Sequence, residues 1–308
     1  MSAWWVKNRQ RVLKLTGTIL AVVLLVVLVR ESEWDEIVAT FKNIKTLDLL
    51  WAALLFFVSR TSMAFRWHVL LRSGGIDMRL KDSISLTYTG LFASNFLPST
   101  IGGDVARLAG VMQMGYDRAV SLASIAADRL VGMAGMTMVL PIGVAHSWGL
   151  LGTTTTASFS TAAWFNRPIA FLKRTFSVFK IWLKKPVSLL ASLAFTWLHM
   201  LCLFGSIYIF TDDLGNHVSF WMIAGLWSLT YFITLIPISI NGYGLQELSF
   251  TFFMSNVAGL TPAVSLSVAV LIRAYFILSS LPGALFLPSV LSAVKKREGK
   301  TLPTNIFQ

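Results

Sequence analysis

From Val187 to Phe210 the chain runs without a single Asp, Glu, Lys or Arg. An apolar helix of about 20 residues, rising 1.5 Å per residue, spans the roughly 30 Å hydrocarbon layer of a bilayer. Several runs of this kind recur. They restrict the fold more than any other feature, because only a helix or a closed barrel satisfies its own backbone in hydrocarbon. The short alternating segments a barrel needs are not seen. Composition agrees: 13% of the residues are charged, against about 25% in soluble domains. The expected fold class is all-α, a polytopic membrane helical bundle of about seven or eight spans.

Spans are predicted near 12–29, 48–71, 118–145, 187–210, 218–240 and 262–290, with shorter helices at 83–97, 104–114 and up to Asn256. Asp48, Asp117 and Thr261 are placed to cap helix starts, the last followed by Pro262 in the first turn. Pro141 is a kink or end signal. The basic stretch at 7–14 followed by an apolar run resembles a signal peptide. It lacks a small-residue cleavage pattern, so an uncleaved first span is expected.

The chain reads as one integral membrane domain. Half one covers about 1–163, a basic amphipathic linker helix about 164–186, half two about 187–292, and a basic tail 293–308. Ile169, Leu172, Phe176, Phe179 and Leu183 share one face of the linker, whose six cations suit the cytoplasmic headgroup layer. Each half has two spans, a Pro/Gly-broken motif ending in an acid, a short helix and a long charged helix. An inverted pseudo-repeat is therefore predicted, with one or both short helices re-entrant.

The net charge of +12 follows the positive-inside rule, since the basic residues lie mostly between apolar runs. No nucleic-acid partner is expected. Cys202 is the single cysteine, so no internal disulfide is expected. His68, His146, His199 and His217 have no ligand spacing. No metal, cofactor or catalytic constellation is expected. The glycines of "GMAG" (132–135) read as helix packing.

Two stretches break the helical pattern at membrane depth. "SNFLPSTIGGDVARL" (94–108) holds Asn95, Gly102, Gly103, Asp104 and Arg107. "PISINGYGLQE" (237–247) holds Asn241, Gly242, Gly244 and Glu247. Broken backbone in hydrocarbon costs several kcal/mol for each unpaired group, so it survives only inside protein or beside a polar cavity. Glycine permits the turn and a ligand's close approach. The helices that follow aim N-terminal amides into that space. A purely structural reading also exists: Asp104 caps its helix and pairs with Arg107, and Glu247 complements a helix dipole.

Asp128, Arg129 and Arg273 lie roughly 15 Å into their spans, where a charge needs a partner. Arg60 is similarly deep. An Asp128–Arg273 bridge is one expected pairing, and Arg66, nearer a helix end, is expected to snorkel. The arginine fork suits phosphate. The candidate headgroup-binding residues are Asp104, Arg107, Asp128, Arg129, Glu247, Arg273, Arg60, Asn95 and Asn241.

The motifs "FRWHVLL", "NFLPSTIGGDVARL", "AADRLVG" and "PISINGYGLQE", with Arg273 in the last span, occur in an order that resembles the transmembrane region of lysylphosphatidylglycerol synthase, a flippase-like family. The resemblance implies an inner-membrane protein that moves or handles polar lipids, and the basic ends of the chain predict that both termini are cytoplasmic. Its partners would be anionic or aminoacylated phospholipids or polyprenyl lipids. A separate lipid-synthesis enzyme would receive the lipid in an accessory role, and an enzyme acting on polyprenyl-linked sugars is a further alternative. The soluble aminoacyl-transferase domain of the bifunctional synthases is not seen after the last span. Gln246 stands where many members have arginine before the glutamate.

Overall fold

The computed structural model describes residues 44–95, 102–154, 185–236, 239 and 241–286. They form eight α-helices: α1 Thr46–Ser73, α2 Leu80–Ser94, α3 Gly102–Gln113, α4 Arg118–Thr154, α5 Pro186–Asp213, α6 Phe220–Thr234, α7 Leu245–Asn256 and α8 Pro262–Ser280. A 3-10 turn, Leu281–Leu285, follows α8 at Pro282. No strand occurs among the described residues. The expected first span, the basic linker helix, the tail, and Pro98 and Pro237 lie outside the described residues.

Capping explains several helix starts. Asp117 Oδ1 accepts the Val120 N–H (2.8 Å) ahead of α4. Thr261 Oγ1 accepts the Val264 N–H (3.3 Å), with Pro262 in the first turn of α8. The Asp48 expectation is corrected: α1 begins at Thr46, so Asp48 lies inside its first turn and favours the helix dipole instead. Pro141 does not end α4, which continues to Thr154.

Four helical stretches are long and apolar enough to cross a bilayer: Thr46–Ser73, Arg118–Ser147, Pro186–Asp213 and Pro262–Leu285. The others are not. At 15 residues, α2 and α6 are about 22 Å long. Each is followed by a 12-residue helix. The ends of the α2–α3 pair meet on one face of the bundle, where Tyr116 Oη donates to the Asp77 carbonyl (2.8 Å). This is the geometry of a re-entrant hairpin, and it explains how a broken segment reaches membrane depth without crossing.

The two halves repeat one another. α1 and α5 have 28 residues each, α2 and α6 have 15, and α3 and α7 have 12. Loops 74–79 and 214–219 close identically. Gly75 (φ 99°) and Gly215 (φ 75°) adopt the left-handed conformation that glycine tolerates. Their N–H groups donate to Arg72 and Asp212, and those of Ile76 and Asn216 reach back to Leu71 and Thr211.

The equivalent helices α1 and α5 pack antiparallel. Lys45, before α1, binds Asp213 at the end of α5 (2.7 Å). Lys185, before α5, donates to the Ser73 carbonyl at the end of α1 (2.6 Å). The hydrogen bond that the Lys45 ammonium donates to the Asp213 carboxylate also raises it above the usual lysine range. Equivalent helices that run antiparallel are related by a two-fold perpendicular to their axes. For spanning helices that axis lies in the membrane plane, so the repeat is inverted.

Glycine sets the closest approaches. A Cβ on Gly103 would strike the Gly90 carbonyl, and one on Gly143 would strike Gly225, so α3 packs on α2 and α4 on α6 backbone to backbone. Gly135 faces Thr196 and Met200 of α5, as the packing reading of "GMAG" expects. The larger apolar core gathers Phe56, Phe204, Phe210, Trp227 and Phe250. A smaller one holds Trp67, Leu71, Leu86 and Val111. Trp51, Leu54, Leu190 and Leu201 are exposed on the long helices, as lipid-facing residues are.

Candidate functional site

The repeat places two acid–arginine pairs at equivalent positions. Asp104 and Glu247 are each the third residue of the short helix after the break. Arg129 and Arg273 are each the twelfth residue of the following long helix. Arg129 Nε donates to Asp104 Oδ2, and Arg273 Nε donates to Glu247 Oε1 (2.5 Å). Each pair ties a re-entrant tip to a spanning helix.

The second break is built around its arginine. Asn241 (φ 49°), Gly242 (φ 72°) and Gly244 (φ 74°) are left-handed, as glycine and asparagine allow. The turn aims the carbonyls of Asn241 and Gly242 at the Arg273 guanidinium (3.5 and 3.3 Å). The Tyr243 ring lies beneath it, 4.7 Å away. Glu247 Oε2 accepts the Gly244 N–H (2.8 Å), closing a capping arrangement.

The first break carries more charge. Arg66 Nε donates to Asp128 Oδ1 (2.7 Å). Arg107 Nη1 and Nη2 donate to Asp128 Oδ2 (3.1 and 3.0 Å), and Nη1 also reaches Asp104 Oδ1 (3.2 Å). Arg66, Asp128, Arg107, Asp104 and Arg129 thus form one continuous chain. The Arg107 guanidinium stacks 4.0 Å over Trp67, whose Nε1 is held by Ser124 (3.2 Å). In half two, the residues equivalent to Arg66, Arg107 and Asp128 are Ser206, Phe250 and Ile272.

Two expectations are corrected here. Asp128 does not bridge to Arg273: its partners are Arg66 and Arg107. Arg66 does not snorkel, being 5% exposed and ion-paired. The cause is helix rotation, since Gly132 leaves room for the Arg66 guanidinium beside α4. The Asp104–Arg107 pair is present, but Asp104 is also shared with Arg129.

Two adjoining cavities lie against these residues. One, of about 220 Å³, is walled by Arg66, Asp104, Arg107, Asp128 and Arg129. The other, of about 290 Å³, is walled by Arg60, Arg129, Arg273, Asn95, Asn241 and Gln246. Arg129, His199, Tyr231 and Ser94 line both. Asn95 Nδ2 donates to Ser280 Oγ (2.8 Å), joining the first break to the end of α8. All nine candidate side chains therefore converge on one region, although Glu247 stands behind Arg273. Sequence reasoning missed His199, Tyr231 and Gln246. Only the broken motif signalled Gln246; the other two sit in ordinary apolar runs. Among the described residues, no group of three His, Cys, Asp or Glu side chains is placed to hold a metal ion.

The family model for the lysylphosphatidylglycerol synthase TM region matches residues 14–283. The chain belongs to that family. Among curated proteins, none matches the chain. Membership in the lysylphosphatidylglycerol synthase TM family fits a membrane protein of lipid handling. In this member the two broken motifs supply the carboxylates of the two equivalent pairs, and the long helices after them supply the arginines of those pairs.

Proposed function

We propose that the protein carries a polar lipid headgroup between leaflets through the adjoining cavities while the acyl chains stay in the bilayer. The observation that supports this is the equivalence of Asp104–Arg129 and Glu247–Arg273 in oppositely oriented halves. Inverted repeats around a mid-membrane site offer two openings of similar energy, one toward each leaflet. Each acid–arginine pair holds one tip closed. A headgroup that competes for the arginine releases that tip.

The reading involves no covalent chemistry. Arg72, Arg79, Lys81 and Lys185 gather where α1 ends and α5 begins, and Asp212 and Asp213 gather at the opposite end. The positive-inside rule turns the basic end to the cytoplasm of an inner membrane.

The test is leaflet exchange of a fluorescent phospholipid in proteoliposomes of the purified protein. Exchange above protein-free vesicles is expected, with Asp104→Asn and Glu247→Gln, each of which frees the arginine that holds a tip, changing its rate about tenfold or more, the scale of one lost charge-assisted hydrogen bond. No exchange, or exchange indifferent to both changes, rejects the proposal. If exchange is absent alone but the protein co-purifies with a lipid-synthesis enzyme, the accessory role replaces it.

A further inference from the structure

The 290 Å³ cavity is walled by three arginines, Arg60, Arg129 and Arg273, and by no carboxylate among the described residues. Asp104 and Glu247 approach Arg129 and Arg273 through the Nε atoms. Arg60 has no acidic partner among the described residues. Its contacts are Ser279 Oγ (3.4 Å), Met63 Sδ (3.7 Å) and the Phe276 ring (4.2 Å). It is the fifteenth of 28 residues in α1, at the middle of a span. A cation at that depth is costly unless something anionic reaches it.

Two buried donors beside the cavities lack acceptors. Gln246, 8% exposed, lines the same cavity, and its Nε2 has no partner. Arg107, 7% exposed, lines the neighbouring cavity, and its Nε has none. Buried donors are normally satisfied. Around both cavities, five arginines (60, 66, 107, 129 and 273) face three carboxylates (104, 128 and 247), an excess of two positive charges. The space far exceeds the about 15 Å³ that admits one water.

We infer that the Arg60–Gln246 cavity is a binding site for a phosphate group of uncompensated negative charge, and that it disfavours an aminoacylated, cationic headgroup. This deepens the lipid-handling reading by naming its substrate class. A lysyl headgroup would bring its ammonium groups against three guanidinium groups with no carboxylate in the wall. A phosphate offers acceptors to Arg60 and to Gln246, beside the positive charges of Arg129 and Arg273.

The experiment measures binding separately from transport. Purified protein in uncharged detergent is titrated with phosphatidylglycerol, with lysyl-phosphatidylglycerol of the same acyl chains, and with inorganic phosphate. Phosphatidylglycerol is expected to bind at least about tenfold more tightly than the lysyl lipid. Arg60→Met should abolish that preference without lowering the ligand-free melting temperature, because the half-two equivalent is Met200 and no acid is orphaned. Arg60→Lys should retain it in part. Gln246→Glu, nearly isosteric, should weaken phosphatidylglycerol binding by a similar factor.

Equal or tighter lysyl-lipid binding, or a preference untouched by Arg60→Met and Gln246→Glu, overturns the inference. Displacement of the lipid by millimolar inorganic phosphate would assign the site to free phosphate, and resistance to it would assign the site to a lipid; both uphold the anion chemistry. Arg60-dependent binding without leaflet exchange leaves this site standing and removes the transport proposal. Exchange that favours the lysyl lipid does the reverse.

Discussion

Ser59 Oγ and His199 Nδ1 meet at 2.6 Å, and they are the same residue of the repeat, each fourteenth in its 28-residue helix. The inverted halves therefore cross at a polar contact, not an apolar one. His199 also lines both cavities. The contact fixes the rotation of α1 and α5, and with it the directions of Arg60, the next residue, and of Arg66, two turns further on.

Ser59→Ala leaves this imidazole without its hydroxyl partner. A buried polar group so orphaned costs about 1–3 kcal/mol. A lowered melting temperature in detergent is expected, with Ser59→Thr retaining most of the stability. Indifference to Ser59→Ala would mean that water replaces the hydroxyl.

Asp128→Asn leaves Arg66 and Arg107 facing each other across a neutral amide. Removing one member of a buried ion pair costs about 3–5 kcal/mol. The double change Asp128→Leu with Arg66→Met should cost less than the sum of the two single changes, because it removes a charge of each sign. A denaturation series on the four proteins reads the coupling.

The antiparallel fit of α1 and α5 is testable by cross-linking. With buried Cys202 changed to Ala, Lys45→Cys and Asp213→Cys should join through a short bifunctional thiol reagent. Lys45→Cys and Lys185→Cys should not, since they sit at opposite ends of the bundle. Reversed yields would contradict the inverted repeat.

Much of this arrangement is written in local residue types. Asp117 and Thr261 announce helix starts because a side-chain oxygen meets a first-turn N–H whatever lies beyond it. Asn241, Gly242 and Gly244 announce a left-handed turn because few other residues tolerate one. Asp104 and Glu247 stand out because a charge within an apolar run needs a partner. The partners were not legible. Asp128 lies at the right depth for either Arg66 or Arg273. The choice depends on the rotation of α4 about its axis, which Gly132 and Gly135 set by letting α1 and α5 close in. Arg66 misleads by its nearness to a helix end, when it is helix rotation and not depth that buries it.

The sequence by itself determined an all-helical membrane chain, its two interruptions and the charges beside them. Those follow from hydrocarbon's refusal of unpaired backbone and from the φ range of glycine, which act over a few residues. Only the tertiary structure decided that α2–α3 turns back, that the halves are inverted, and that Arg60 faces a cavity without an acid. Those outcomes depend on helix rotation and crossing, set by packing between residues from 39 to 168 positions apart, and no local pattern of amino acids fixes an angle between distant helices.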